Sequence, residues 1–335
     1  MLNTHGDDLY RYDDIRMNFS SNIYSHADMT ELKDYLKSKI DVISSYPEPE
    51  PYLLEQLIAG QNNISADNVL VTNGATDAIF IIAQALTRAA VKSVAIAQPT
   101  FSEYEEACRV AGLRTFDYAM HPNHPVLWMC NPNNPTAKVC PLGVMRSLSE
   151  KKRLVIVDQS YSEYTDKPLM SPREAVSRGN VIQIYSLTKT YAIPGLRIGY
   201  IVAAAKHIRL LRRYLRTWSV NALAIEAGKW LLTHNVKAVD DIVAYLREAQ
   251  RLNNMLAQIE GITVFPTETN FMLCRIDVPI TAARLKQRLA LEHHILIRDA
   301  STFTGLDSQY FRVAAQRSDE NDALVSAVRR CVRSQ

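Results

Sequence analysis

The chain has 335 residues, 47% of them hydrophobic and 22% charged, the composition of a folded globular protein about two domains long, which excludes disordered and collagen-like classes. Its 38 basic against 35 acidic residues leave a net charge of +3, too small and too dispersed for a nucleic-acid or membrane surface, so small molecules are the expected partners. No apolar run approaches the roughly 18 residues of a membrane span, and the first residues, with Asp7, Asp8 and Arg11, lack the apolar core of a secretory signal, so a cytoplasmic location is expected.

In chain order, residues 30–40 have helical spacing, and residues 44–51 form a proline-punctuated link. From there to about residue 203, β-branched runs at 68–72, 93–97, 125–130, 154–158, 181–185 and 197–202 alternate with helical patterns at 75–86, 101–111 and 141–149. This rhythm predicts an α/β fold with a mostly parallel, mixed sheet sandwiched by helices. The run Leu154-Val155-Ile156-Val157 is apolar throughout, as in a strand covered on both faces. Residues 204–260 read as helices, including a long one over 237–259. Strands at 262–265, 270–276, 295–298 and 310–313, with helices at 280–292 and 319–332, then form a smaller α+β unit. The five cysteines are odd in number, scattered and never in a C-x-x-C pair, so buried free thiols are expected and neither a disulfide framework nor a metal site is.

Reactive groups of open α/β sheets collect beyond the carboxyl ends of strands. One predicted strand ends at Asp158, with Tyr161 three residues on. A second leads into Ser186-Leu187-Thr188-Lys189 and on to Arg197, and a third into Asn131-Pro132-Asn133-Asn134-Pro135-Thr136. Alone, Asp158 would read as a helix cap or loop carboxylate and Lys189 as a surface lysine. Together, Asn134, then Asp158-x-x-Tyr161, then Ser186-x-x-Lys189 and Arg197 resemble the signature of fold-type I pyridoxal-phosphate enzymes of the aspartate aminotransferase superfamily, over nearly the whole chain.

That resemblance implies pyridoxal 5'-phosphate as cofactor and Lys189, Asp158 and Tyr161 as candidate catalytic residues. Lys189 would hold the cofactor aldehyde covalently, Asp158 would keep the ring nitrogen protonated, and Tyr161 and Asn134 would bind the phenolic oxygen. Gly74, Ala75 and Thr76 at a helix start, with Ser186 and Arg197, would bind the phosphate. Phe101 would stack on the ring, and Tyr46 would reach the phosphate of a partner subunit, implying a homodimer with shared active sites. Arg312, assisted by Asn134, would take the substrate α-carboxylate.

His5-Gly6, the run from Asn18 to Asn22, and the stretch from Leu296 to Leu306 further resemble L-threonine-O-3-phosphate decarboxylases of cobalamin biosynthesis, with histidinol-phosphate aminotransferases as the sister group. The resemblance implies a small phosphorylated amino-acid substrate enclosed by His5, Gly6, Asn22, Asn134, Arg298 and Arg312. Decarboxylation and transamination share Lys189, Asp158 and Arg312, so the core motif leaves both open, together with a non-catalytic cofactor-binding regulator. Where the family turn reads Asn-Pro-Thr-Gly, this chain has Ala137, which leaves that loop's conformation open. The expected division is a large cofactor-binding domain over 41–235 and a discontinuous small domain of 1–40 with 236–335.

Overall fold

The computed structural model describes residues 6–333. Its larger sheet has seven strands: β1 Val69–Thr72, β2 Ser93–Ile96, β3 Arg114–Asp117, β4 Val126–Cys130, β5 Leu154–Asp158, β6 Val181–Ser186 and β7 Gly199–Ala203. Their spatial order is β1-β7-β6-β5-β4-β2-β3. From β6 to β3 all pairs are parallel, while β7 runs antiparallel to both β6 and β1. The apolar strands β4 and β5 are buried along their whole length, because helices cover both faces of the sheet. The helix Gly74–Arg88 lays Ala78, Ile82 and Leu86 against Ile182, Ile184 and Ile201 on one face. On the other, Leu142–Lys151 and Pro172–Arg178 bury Met145 and Ala175 against Leu127, Val155 and Val181.

A second, antiparallel sheet has four strands, β8 Ile262–Val264, β9 Phe271–Ile276, β10 Arg298–Asp299 and β11 Tyr310–Ala314, in the order β10-β11-β9-β8. One hydrophobic core runs through both sheets, from Ile184 and Ile201 to Phe311 and Val313. The segment near the N-terminus is stitched to the smaller sheet. Met17–Asn18 pairs in parallel with Ile295–Leu296, and Phe19 donates its amide to Leu296 and accepts from Ala314.

The expected strand over 295–298 is broken at buried Ile297, its first half pairing with Met17–Asn18 and its second with β11. The expected helix over 237–259 starts at Ile242, where the Asp241 carboxylate caps it by accepting from the Ala244 amide at 2.9 Å. All five cysteines are free, and four are buried. Among the described residues no helix is long and apolar enough to cross a membrane.

Candidate active site

Because β4, β5 and β6 are parallel, their carboxyl ends share one rim of the sheet, and there they open into a cavity of about 370 Å³. Asp158, the last residue of β5, is 3% exposed. Its Oδ2 accepts from the Tyr104 hydroxyl at 2.8 Å and its Oδ1 from the Ser160 amide at 2.9 Å. Burial pushes this carboxyl above the ordinary range, against those two partners. Lys189 sits on the short helix Leu187–Thr190 that follows β6, and its Nζ donates to the Ser21 carbonyl at 2.7 Å. Burial and the positive charge of Arg312, with a smaller push from Arg197, lower the amine to about 8, while Asp7 pulls the other way. A lysine so lowered is a competent nucleophile near neutrality. Tyr161 lies between these groups and the second sheet, its ring edge-on to Phe271 at 5.0 Å, and burial raises its hydroxyl to about 12.

One end of the cavity gathers donors that suit an anion. The helix Gly74–Arg88 begins there, with Ala75, Thr76, Ser186 and Arg197 on the lining. Gly74 has φ +84°, and a Cβ on it would stand 2.9 Å from Arg197 Nη2. A Cβ on Gly199 would stand 2.7 Å from the Ala75 nitrogen and from the Tyr185 carbonyl oxygen. Both glycines let the helix start press onto β7, so the first amides of that helix, with their partial positive charge, point into the cavity beside a guanidinium.

The opposite wall comes from the smaller sheet. In the β10–β11 register Arg298 stands directly across from Arg312, and each is 4% exposed. Like charges opposed on a sheet are unfavourable unless an anion lies between or over them. Arg312 Nη1 donates to the Asn134 side-chain oxygen, and Nη2 donates to the Ser20 carbonyl at 2.5 Å. Arg298 Nη2 donates to the Thr302 hydroxyl at 2.9 Å, with the guanidinium 5.6 Å from the Phe303 ring. Burial lowers both arginines to about 10. Gly6 closes this wall: a Cβ there would meet Ser20 O at 2.7 Å, Arg298 Cδ at 3.3 Å and Arg312 Nη2 at 3.6 Å. Asn22 is fully buried with neither side-chain polar atom paired, and Arg312 Nε is likewise unpaired. Buried polar atoms left over in this way fit a site made for a polar ligand.

Most of the residues singled out in the sequence therefore meet in one cavity: Gly6, Ala75, Thr76, Phe101, Asn134, Asp158, Tyr161, Ser186, Lys189, Arg197, Arg298 and Arg312 line it. Gly74 and Asn22 stand behind that lining. Tyr46 is apart, 80% exposed and stacked on Trp218 at 4.6 Å. His5 lies outside the described residues. Ala137 is buried with φ +59°, in the left-handed region that favours glycine, its carbonyl accepting from the Glu268 amide at 3.0 Å.

The sequence reading missed Tyr104, Ser160, Ser20, Ser21, Asp7 and Gly199. Tyr104 stands three residues after Phe101, a spacing that puts both on one side of a helix start. The backbone carbonyls of Ser20 and Ser21 carry no signal that residue identity could reveal.

Against known proteins, the profile of the family "aminotransferase class I and II" matches residues 14–328. Threonine-phosphate decarboxylase of Salmonella typhimurium is 29% identical over 93% of this chain and 90% of its own. Histidinol-phosphate aminotransferase of Caldanaerobacter subterraneus subsp. tengcongensis is 28% identical over 89% of this chain and 88% of its own. The crystal structure of L-threonine-O-3-phosphate decarboxylase from Porphyromonas gingivalis superposes with a TM-score of 0.88 at 34% identity, over 95% of this chain and 99% of that one.

Proposed function

Because the chain belongs to the class I and II aminotransferase family and is a pyridoxal-phosphate-dependent enzyme, we propose that it decarboxylates L-threonine O-3-phosphate to (R)-1-aminopropan-2-yl phosphate and carbon dioxide, a step of cobalamin biosynthesis. The observation that carries this reading is the buried pair Arg298 and Arg312 on facing strands with Gly6 packed against both. Two cations in one wall suit a substrate with two anionic groups. The residues also fit the cofactor: an amine lowered to about 8, a buried acid, and a helix start beside Arg197 match its aldehyde, ring nitrogen and phosphate.

When bound, pyridoxal phosphate supplies an electron sink for the bond broken at the substrate Cα. In this reading Lys189 holds the cofactor and later carries a proton to Cα, and Asp158 holds the ring-nitrogen proton. Tyr161 and Asn134 bind the phenolic oxygen, Phe101 covers the ring, and Ser186, Arg197 and the amides of Ala75 and Thr76 hold the cofactor phosphate. Arg312, with Asn134, takes the substrate carboxylate, while Arg298, Gly6 and His5 take its phosphate and Asn22 supports them. The same reading makes the protein a homodimer in which Tyr46 reaches the partner's site, in keeping with its 80% exposure in a stretch of chain that also exposes Ile43, Tyr52 and Leu53. It divides the chain into 41–235 and 1–40 with 236–335, the second part holding the four-stranded sheet.

Transamination of histidinol phosphate or a related amino acid is the second reading, supported by the 28% identical relative. The two separate on incubating the purified protein with L-threonine O-3-phosphate and no keto acid. Decarboxylation gives continuous carbon dioxide release, whereas half-turnover conversion of the cofactor without carbon dioxide defeats it. A non-catalytic role is rejected by repeated turnover of either substrate that is lost in Lys189→Ala, while a visible band removed by borohydride and absent in Lys189→Ala shows the covalent link to the cofactor.

A further inference from the structure

The acid that faces the cofactor ring does not stand alone. Tyr104, on the helix Glu103–Val110, is 0% exposed, and its hydroxyl donates to Asp158 Oδ2 at 2.8 Å. Its ring stacks on Trp128 at 5.4 Å and 24°, and meets Phe101 edge-on at 5.8 Å and 83°. Aromatic rings grip it on two sides, and the Cys130 thiol lies against the same hydroxyl. The neighbouring Cys130 thiol donates to the Pro132 carbonyl. Asp158 Oδ1 takes the Ser160 amide at 2.9 Å, so each carboxylate oxygen already accepts one hydrogen bond and keeps a lone pair for an incoming N–H.

We propose that Tyr104 is a positioning residue that acts through Asp158 to set how firmly the cofactor ring nitrogen keeps its proton. A carboxylate buried in a protein is driven toward its neutral form. Were Asp158 to become a stronger base, the proton it shares with the ring nitrogen would move onto the carboxylate, and the ring would lose its pull on electrons. Hydrogen bonds to the charged form oppose that drift, and here they come from Tyr104 and Ser160. The Tyr104 hydroxyl stays protonated, since burial and the adjacent Asp158 push it far above the ordinary range. It is therefore a constant donor to the ionised acid. One hydrogen bond to a charged group corresponds to about one to two decades in an equilibrium constant.

The inference rests on pyridoxal phosphate binding at this site and is indifferent to whether decarboxylation or transamination follows. It is tested in Tyr104→Phe, which removes one oxygen and keeps the ring in both stacks. In holoenzyme carrying cofactor labelled with nitrogen-15 in the ring, and without substrate, the ring-nitrogen resonance should move toward its unprotonated position. The kcat for whichever substrate the enzyme turns over should fall about ten- to a hundredfold, with KM little changed. Loading both proteins with a cofactor analogue that has carbon in place of the ring nitrogen should make their rates converge. An unmoved resonance, or an equal loss of rate with that analogue or in an Asp158→Asn background, would overturn the role and leave Tyr104 as packing. Absence of any bound cofactor in the wild-type protein would instead defeat the functional reading beneath it, and this inference with it.

Discussion

On the floor of the cavity, Asp158, Ser186 and Lys189 stand at or just past the ends of neighbouring parallel strands, whereas the facing wall draws Gly6 and Ser20 from one end of the chain and Arg298 and Arg312 from the other. On the floor each group has a partner, the acid accepting two hydrogen bonds and the amine donating one to the Ser21 carbonyl. In the wall, two arginines are opposed across a ladder, and Asn22 and Arg312 Nε have buried polar atoms unpaired. A floor that is complete before ligand arrives suits a resident cofactor. A wall that buries two guanidinium groups and leaves polar atoms over suits a substrate that comes and goes, because an anionic ligand supplies acceptors for them.

Substitutions and a pH titration put this contrast to the test. The largest effect is expected on the floor: Asp158→Ala should lower kcat by about three decades, the equivalent of about 4 kcal/mol for an ion pair near 4 Å at an effective dielectric of about 20. A loss confined to KM would mean the acid does not act on the cofactor ring. In the wall, Arg312→Ala should raise KM by about a hundredfold or more for every substrate, and Arg298→Ala by about ten- to a hundredfold for phosphorylated ones only. Thermal melting of the ligand-free Arg298→Ala protein should show no loss of stability, because removing one of two opposed cations offsets the lost packing. A clear drop in the melting temperature would make Arg298 a structural residue.

A smaller change is expected for Gly6→Ala, whose Cβ would lie 2.7 Å from Ser20 O. The segment must shift off the two arginines, so KM should rise about tenfold while cofactor affinity is unchanged. Equal damage to both would erase the distinction between floor and wall. The smallest effect is a displacement in pH. If Lys189 captures the cofactor aldehyde as proposed, it does so as the unprotonated amine, so loading of apoprotein should speed up as pH rises through about 8, against 10.5 for an ordinary lysine. Arg312→Ala removes a positive neighbour and should move that midpoint upward. A midpoint left near 8 in the variant would mean that the wall does not tune the floor.

The two regions also differed in how far residue order revealed them. The ends of β4, β5 and β6 were legible because apolar runs close on polar residues at fixed spacing, and a parallel sheet aligns such ends. Strand β3 was missed because Arg114-Thr115-Phe116-Asp117 is an edge strand with no fully buried residue and so no apolar pattern. The helix Pro172–Arg178 was also missed, although Ser171, Pro172 and Gly179 mark both its ends.

What the amino-acid order determined by itself was the chemistry available: an amine, an acid, a phenol and a glycine-led helix start, each tied to its strand by a few residues of local chain. What the tertiary structure decided was which of the remaining charges face them. Only the β10–β11 register opposes Arg298 to Arg312, only the pairing of Met17–Asn18 with Ile295–Leu296 carries Ser20 and Ser21 to Arg312 and Lys189, and only side-chain packing brings Tyr104 to Asp158. These contacts join residues far apart in the chain, and strand register and core packing, rather than local spacing, set such distances.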